Sequence, residues 1–105
     1  MTGKAVKKEK ELKRFAGLLK LVGDQNRLKI LRLLFGQNKI CVSAVALQTG
    51  LSVADASHHL RVLARRGLLS PKREGKQVCY IPAARQDDFL AELKRLLCRR
   101  KLNFK

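Results

Sequence analysis

The chain has 105 residues, of which 24 are Lys or Arg and only 8 are Asp or Glu, so its formal net charge is +16. This length gives a single domain with one modest core, and a hydrophobic fraction of 46% predicts a folded chain. The charge predicts attraction to polyanions, above all nucleic acid, and no apolar run approaches the roughly 20 residues of a membrane-spanning helix. The basic N-terminus leads into a charged helix and not a signal-peptide core, so we expect a soluble cytoplasmic protein without a membrane partner.

The sequence shows no arrangement of residues typical of catalysis. No carboxylate pairs with a histidine at helical spacing, there is no Gly-rich phosphate loop, and the cysteines lack CxxC spacing. Cys41, Cys79 and Cys98 are therefore expected to be reduced thiols, neither a disulfide framework nor a zinc site. The sequence predicts no enzyme, no cofactor and no bound metal.

Helical periodicity begins near the N-terminus. From Lys4 to Val22 apolar residues recur at three- and four-residue steps, which predicts an amphipathic helix that Gly23 ends. Its apolar positions are Leu12, Phe15, Leu18, Leu19 and Val22. Asp24 is the expected N-cap of a second helix, which Gly36 and Asn38 break. That helix is expected to bury Leu28, Leu31, Leu34 and Phe35 and to leave Arg27, Lys29 and Arg32 in solvent.

A short third helix is predicted over Val42 to Thr49. Cys41 lies at or beside its N-cap, and Gly50 stands in the position of a C-terminal cap. Val45 and Leu47 are its candidates for burial.

The fourth predicted helix has two distinct faces. Ser52 can cap it by accepting from the amide near Asp55, and it is expected to run from Val53 to about Arg66. Its inward residues are Ala56, Leu60, Leu63 and Ala64, and its outward residues are Val53, Ala54, Ser57, His58, Arg61 and Arg65. Because adjacent helical residues point about 100° apart, His58 and His59 cannot face one metal ion together. His59 is expected to pack, and His58 to face outward.

The last third of the chain begins with extended runs. Residues 68–73 and 76–81 flank the turn Glu74-Gly75, which predicts a β-hairpin with a basic tip. A last helix is predicted from Gln86 to Lys101. It carries Phe89, Leu93, Leu96 and Leu97 on one side, Asp87 and Asp88 at its start, and Arg99, Arg100 and Lys101 at its end.

These elements predict a mainly α fold with a β-hairpin wing (α+β), a single winged helix-turn-helix domain over residues 1–105 with basic ends. Helix 53–66 is expected to enter the DNA major groove, while wing 69–81 lies along the backbone or reaches the minor groove. The candidate DNA-binding residues are Ser52, Val53, Ala54, Ser57, His58, Arg61 and Arg65 on the helix, and Lys72, Arg73 and Lys76 on the wing.

A family resemblance covers almost the whole chain except its basic ends. It is carried by LKLVGDQNRLKILRLLF and by VSAVALQTGLSVADASHHLRVLARRGLLSPKREGKQVCYIP, which resemble the ArsR/SmtB family of winged-helix repressors. The more specific part is Ser57-His58-His59-Leu60, followed by Val62-Leu63 and Gly67-Leu68-Leu69. The resemblance implies a homodimer paired through its first and last helices, which binds a palindromic DNA operator. Where the family often has Gln, Pro and Thr after the capping serine, this chain has Val53, Ala54 and Asp55, so base preference does not carry over.

The resemblance also raises the question of an inducer, because family members release DNA on binding metal ions or arsenite, or on thiol oxidation. The family's last-helix metal pattern needs an Asp-x-His pair, and RQDDFLAELKRLLC contains no histidine. Arsenic and cadmium sensors usually show Cys-x-Cys at the third helix, where this chain has Cys41-Val42-Ser43. A thiol switch needs fewer groups, and Cys41 at a helix N-terminus is biased toward thiolate. Cys41 and Cys98 are the candidate sensor thiols, although each cysteine is also compatible with a small buried hydrophobe.

Two functions from different classes remain open. One is a sequence-specific repressor that thiol chemistry at cysteine, with an oxidant, persulfide or arsenite, removes from its operator; which of these is the inducer is unknown. The other is a sequence-tolerant architectural nucleic-acid binder without an inducer site, which Val53, Ala54 and the basic ends favour. Those ends contain Lys7, Lys8, Lys10, Lys13, Arg14, Arg99, Arg100 and Lys101. A specific binder prefers its own site over random DNA by about 10³ or more, which separates the two.

Overall fold

The computed structural model describes the backbone of residues 2–83 and 88–98 and the side chains of 7–83 and 89–98. The elements in chain order are α1 Thr2–Val22, α2 Gln25–Gln37, β1 Ile40–Cys41, α3 Val42–Thr49, α4 Val53–Arg65, β2 Leu69–Glu74, β3 Gln77–Pro82 and α5 Asp88–Cys98. The predicted order of helices and hairpin is confirmed, with one further strand between α2 and α3. The predicted ends of the last helix, residues 86–87 and 99–101, lie outside the described residues.

Helix boundaries follow local capping residues. The Asp24 carboxylate accepts a hydrogen bond from the Arg27 amide at 3.0 Å, which confirms Asp24 as the N-cap of α2. Gly36, predicted to break this helix, lies inside it. A helical glycine costs only about 1 kcal/mol relative to alanine, so the end is set instead by Asn38, whose φ of 64° gives a left-handed C-cap.

The core lies among the second half of α1, the helices α2 to α4, the sheet and α5. Its fully buried large side chains are Leu18, Ile30, Leu31, Leu34, Val45, Leu60, Leu63, Cys79 and Leu90. The predicted burial of Val45 is confirmed, but that of Leu47 is wrong, because Leu47 is 85% exposed. In α3, Val45 and Ala46 face the core, and helical geometry turns the next residue away from it.

The sheet has three antiparallel strands in the order β1-β3-β2, where the sequence predicted two. The added strand β1 pairs Ile40 with Tyr80 and Cys41 with Cys79. A strand of two residues is too short to show an alternating pattern. In the hairpin Glu74 pairs with Gln77, so the turn is Gly75-Lys76, one residue later than predicted, and Gly75 has a φ of 62° that favours glycine.

Candidate nucleic-acid interface

The start of α4 is fixed by a side-chain cap. The Ser52 hydroxyl accepts a hydrogen bond from the Asp55 amide at 3.0 Å, as the sequence predicted. Asp55 lies in the first helical turn, where a carboxylate interacts favourably with the positive end of the helix dipole. The cap therefore fixes the residue at which α4 begins, and with it the position of the exposed face along the helix.

The two faces of α4 agree with the predicted pattern. Ala56, Leu60 and Leu63 are completely buried, and Ala64 is partly buried. Among the predicted outward residues, Ser57 is partly buried, and the exposed ones are Val53, Ala54, His58, Arg61 and Arg65. Burial of one face thus anchors the helix, and leaves a small-residue start followed by two arginines facing solvent. We call these exposed residues the α4 surface.

The wing presents a second basic surface. Lys72, Arg73 and Lys76 are all exposed. The fourth charged residue of the hairpin, Glu74, pairs with Lys39 at 2.6 Å. The hydrogen bond from the Lys39 ammonium lowers the pKa of the Glu74 carboxyl below its usual value. Because Lys39 compensates the charge of Glu74, the hairpin tip remains positive.

Arg27 connects α1, α2 and α4. Its Nε donates to the carbonyl of Leu21 at 2.6 Å, and its Nη1 lies 3.3 Å from His59 Nδ1. The prediction that Arg27 stays in solvent is wrong, since its side chain is only 19% exposed. The last carbonyls of a helix lack internal partners, and Arg27 supplies one for α1. The backbone hydrogen bond from Arg27 lowers the pKa of Asp24.

The two adjacent histidines have different environments. His59 is partly buried against Arg27, which agrees with its predicted packing role, whereas His58 is exposed on the α4 surface. Their ring centroids lie 5.9 Å apart. Donation by Arg27 requires an unprotonated Nδ1 on His59.

Two of the three cysteines are joined. Cys41 and Cys79 lie directly opposite each other on β1 and β3 and form a disulfide, so the prediction of reduced thiols is wrong for this pair. Cys98 is free and exposed on α5 and does not join Cys41. Cys41 is also the N-cap residue of α3, although its side chain makes no capping hydrogen bond. The disulfide therefore links the beginning of the helix-turn-helix motif to the wing.

The same place contains the one group of three metal-ligating side chains found within the described ranges. The sulfurs of Cys41 and Cys79 and a carboxylate oxygen of Glu74 all lie within 4.8 Å of one another. Sequence reasoning missed Cys79 and Glu74, because their proximity to Cys41 depends on strand β1, which left no signal in the sequence.

A third surface, on α1 and α5, is apolar. Leu12 is 68% exposed, and Phe15, Leu19 and Leu96 are each 49% exposed. Phe15 packs edge-to-face against Phe89, with ring centroids 5.7 Å apart. The surrounding groove is lined by Arg14, Phe15, Leu19, Val22, Phe89, Glu92, Leu93 and Leu96. Of the predicted α1 stripe, only Leu18 and Val22 are buried within the chain.

No helix in the described part of the chain has the length and apolar character needed to cross a membrane.

Comparisons with known proteins agree with this architecture. Residues 24–70, from the α2 cap into β2, match the family model described as bacterial regulatory protein, arsR family. The cadmium resistance transcriptional regulatory protein CadC of Listeria innocua is 38% identical over 65 residues, covering 62% of this chain and 55% of CadC. The chain spans about half the length of the CadC relatives it matches.

Similar solved structures cover more of the chain. Reduced HlyU from Vibrio cholerae has a TM-score of 0.74 and 30% identity, covering 89% of this chain and 98% of HlyU. The homodimeric winged helix-turn-helix domain Mb0332 from Mycobacterium bovis, described as a possible ArsR-family transcriptional regulator, has a TM-score of 0.69 and 32% identity over 86% of this chain and 80% of that one. The fold is thus a winged helix-turn-helix. The chain belongs to the ArsR family of bacterial regulatory proteins.

Proposed function

We propose that the chain is a homodimeric transcriptional repressor that binds a DNA operator through the α4 surface and the wing. The observation that carries this proposal is the placement of two exposed basic surfaces on elements that pack directly against each other, α4 and β2. A rigid pair of this kind offers one helix to a major groove and one hairpin to the adjoining backbone. The net charge of +16 supports a polyanionic partner.

Each part of the surface has a distinct role in this proposal. Arg61 and Arg65 are long enough to reach guanine edges or phosphates, and Ser57 and His58 are short enough to meet base edges only where the helix lies deep in the groove. Ser52, Val53 and Ala54 form the leading end of the helix. The wing residues Lys72, Arg73 and Lys76 neutralise phosphates and contribute affinity without sequence preference.

The apolar surface on α1 and α5 supports dimerisation. An aromatic and aliphatic groove with half-exposed Phe15 and Leu19 is the kind of surface that a partner covers. The homodimeric state given for the similar domain Mb0332 favours a second copy of this chain as that partner. A two-fold dimer presents two α4 helices, which fit half-sites about 34–36 Å apart, one turn of DNA.

The proposal includes release of DNA by thiol chemistry at Cys41. Its bonding partner is Cys79 and not Cys98, because the disulfide joins β1 to β3. When the two thiols are oxidised by hydrogen peroxide, the sulfurs bond, two electrons and two protons pass to the peroxide, and two waters form. We expect operator affinity to differ between the dithiol and disulfide states, and Cys41→Ser to bind DNA without responding to peroxide. A response retained by Cys41→Ser would place the sensor elsewhere.

The experiment that tests DNA recognition is selection of duplexes from a random library at physiological salt, with and without reductant. A palindromic motif with half-sites about one helical turn apart supports a dimeric repressor. Tight, salt-sensitive binding without any enriched motif would favour the architectural alternative. The exposed Val53 and Ala54 keep that alternative open, because neither side chain can donate to a base edge.

A further inference from the structure

We propose that in the reduced protein Cys41, Cys79 and Glu74 form a binding site for a thiophilic divalent cation of the Zn²⁺ type. The proposal does not depend on DNA binding, because it concerns three side chains on the sheet and is tested by metal binding alone. The disulfide and the ion exclude each other, since both use the same two sulfurs.

The strand register brings the three ligands to one face of the sheet. Strand β3 lies between β1 and β2, and Cys79 is opposite Cys41 on one side and Lys72 on the other. Directly paired residues of antiparallel strands point to the same face, and so do residues two apart on one strand. Glu74, two residues after Lys72, therefore shares the face of both cysteines.

The distances suit a tetrahedral cation. Zn²⁺ binds thiolate at about 2.3 Å and carboxylate at about 2.1 Å, so two sulfurs on one ion are about 3.7 Å apart. The sulfur and oxygen atoms already lie within 4.8 Å of one another. Reduction breaks the sulfur–sulfur bond, and side-chain rotations would then bring all three ligands to such an ion.

Burial gives the site a closed side and an open side. Cys79 is completely buried, Cys41 is partly buried, and the Glu74 side chain is 40% exposed. An ion held by these three residues lies at the surface of the sheet with room for a water as the fourth ligand. Three protein ligands with one open position are typical of exchangeable or reactive zinc sites.

The charges around the site introduce a competitor for the ion. Lys72 shares the face of the ligands, whereas Arg73, the next residue on β2, points to the opposite face. The Lys39 ammonium lies 2.6 Å from the Glu74 carboxylate and lowers the pKa of that carboxyl. Because Lys39 holds the same carboxylate that the ion needs, it weakens binding at this site.

The test uses the full chain reduced with a water-soluble phosphine. The phosphine takes oxygen from water, becomes phosphine oxide, and leaves two thiols from each disulfide. Under anaerobic conditions we would titrate this protein with Co²⁺ and follow the thiolate-to-cobalt charge-transfer band. We expect the band to saturate at one ion per chain, to disappear when Zn²⁺ displaces the cobalt, and to be absent from protein that retains the disulfide.

Matched variants assign the ligands. Cys79→Ser should abolish the band, and Glu74→Gln should weaken binding at least about tenfold, the lower end of the losses seen even for supporting residues of metal sites. Lys39→Met should strengthen binding severalfold by freeing Glu74, an effect that general damage to the fold would not produce. Cys98→Ser, which removes the exposed thiol on α5, should bind like the unchanged chain.

Three results would overturn the proposal. They are no band in fully reduced protein, an undiminished band in Cys79→Ser, and equal affinity in Glu74→Gln. Glu74 lies on the surface, and circular dichroism of Glu74→Gln separates loss of a ligand from loss of the fold. Operator selection uses neither Co²⁺ nor Zn²⁺, so failure of the metal site and failure of DNA recognition are observed independently.

Discussion

The helix-turn-helix with its sheet and the α1–α5 pair differ in how completely each buries its apolar residues. In α4 the inward residues Leu60 and Leu63 are fully buried within one chain. On α1 and α5, by contrast, Leu12, Phe15, Leu19 and Leu96 remain about half exposed or more. The first region is complete within one chain, apart from the exposed Leu47 and Val53, whereas the second leaves an apolar groove uncovered. The comparison teaches that the helix-turn-helix and the sheet complete their core within one chain, whereas α1 and α5 leave the apolar surface that the proposed dimer would cover.

The largest expected effect is a loss of stability in the helix-turn-helix and its sheet. Leu63→Ala should lower the free energy of unfolding by about 2–5 kcal/mol, because it removes a fully buried side chain and leaves a cavity. Leu47→Ala is the matched control. Since Leu47 is 85% exposed, its loss should change stability by less than about 0.5 kcal/mol. Urea unfolding measures both, and similar losses for the two leucines would contradict the burial pattern.

The second prediction concerns the apolar surface of α1 and α5. Phe15→Ala should raise the dimer dissociation constant by a factor that corresponds to about 2 kcal/mol or more, because buried aromatic anchors dominate interfaces. Sedimentation over a range of concentrations gives that constant. Leu47→Ala again serves as control, because its side chain is exposed and lies on α3, outside the apolar surface of α1 and α5. A dimer that Phe15→Ala leaves unchanged would mean that the apolar surface has another occupant.

The third prediction separates the α4 residues that read bases from the wing residues that contact phosphates. Arg61→Ala should weaken binding to the selected operator by about 1–3 kcal/mol and relax preference at one position, whereas Lys72→Ala should weaken binding to all sequences alike. Lys72→Ala should also reduce the salt slope by about one unit. Fluorescence anisotropy on operator and random duplexes, at several salt concentrations, measures both. Equal losses on both DNAs for Arg61→Ala would remove its role in reading bases.

The sequence predicted the parts of the fold that depend on local signals. Caps at Asp24, Ser52 and Gly50 and the period of apolar residues located α2, α3 and α4 closely. The outward face of α4 followed from the same periodicity, and the basic wing followed from two extended runs around a Gly-containing turn. Local signals also explain the small errors at Gly36 and at the hairpin turn, because a single glycine does not determine a helix end or a register.

The features that the sequence did not predict all depend on tertiary contacts. The Cys41–Cys79 disulfide joins residues 38 positions apart, and it requires a strand of only two residues. Arg27 occupies a polar position in the pattern, yet its partners come from α1 and α4. Neither residue type nor spacing carries this information. Exposure of Leu47 depends in the same way on which side of α3 meets the core.

The smallest expected effect tests the contact between the two regions. Arg27→Met should lower the free energy of unfolding by about 1 kcal/mol, because the Leu21 carbonyl and His59 each lose a hydrogen-bond partner. Arg32→Met, at an exposed position of the same helix, is the control and should change stability by less than about 0.5 kcal/mol. If Arg27 also orients α4 relative to the dimer helices, Arg27→Met should weaken operator binding more than its effect on the fold explains. If Arg27→Met instead binds the operator as tightly as Arg32→Met does and only loses stability, the role of Arg27 is limited to its hydrogen bond at the C-terminal end of α1. The orientation of α4 would then not depend on the contact between the two regions.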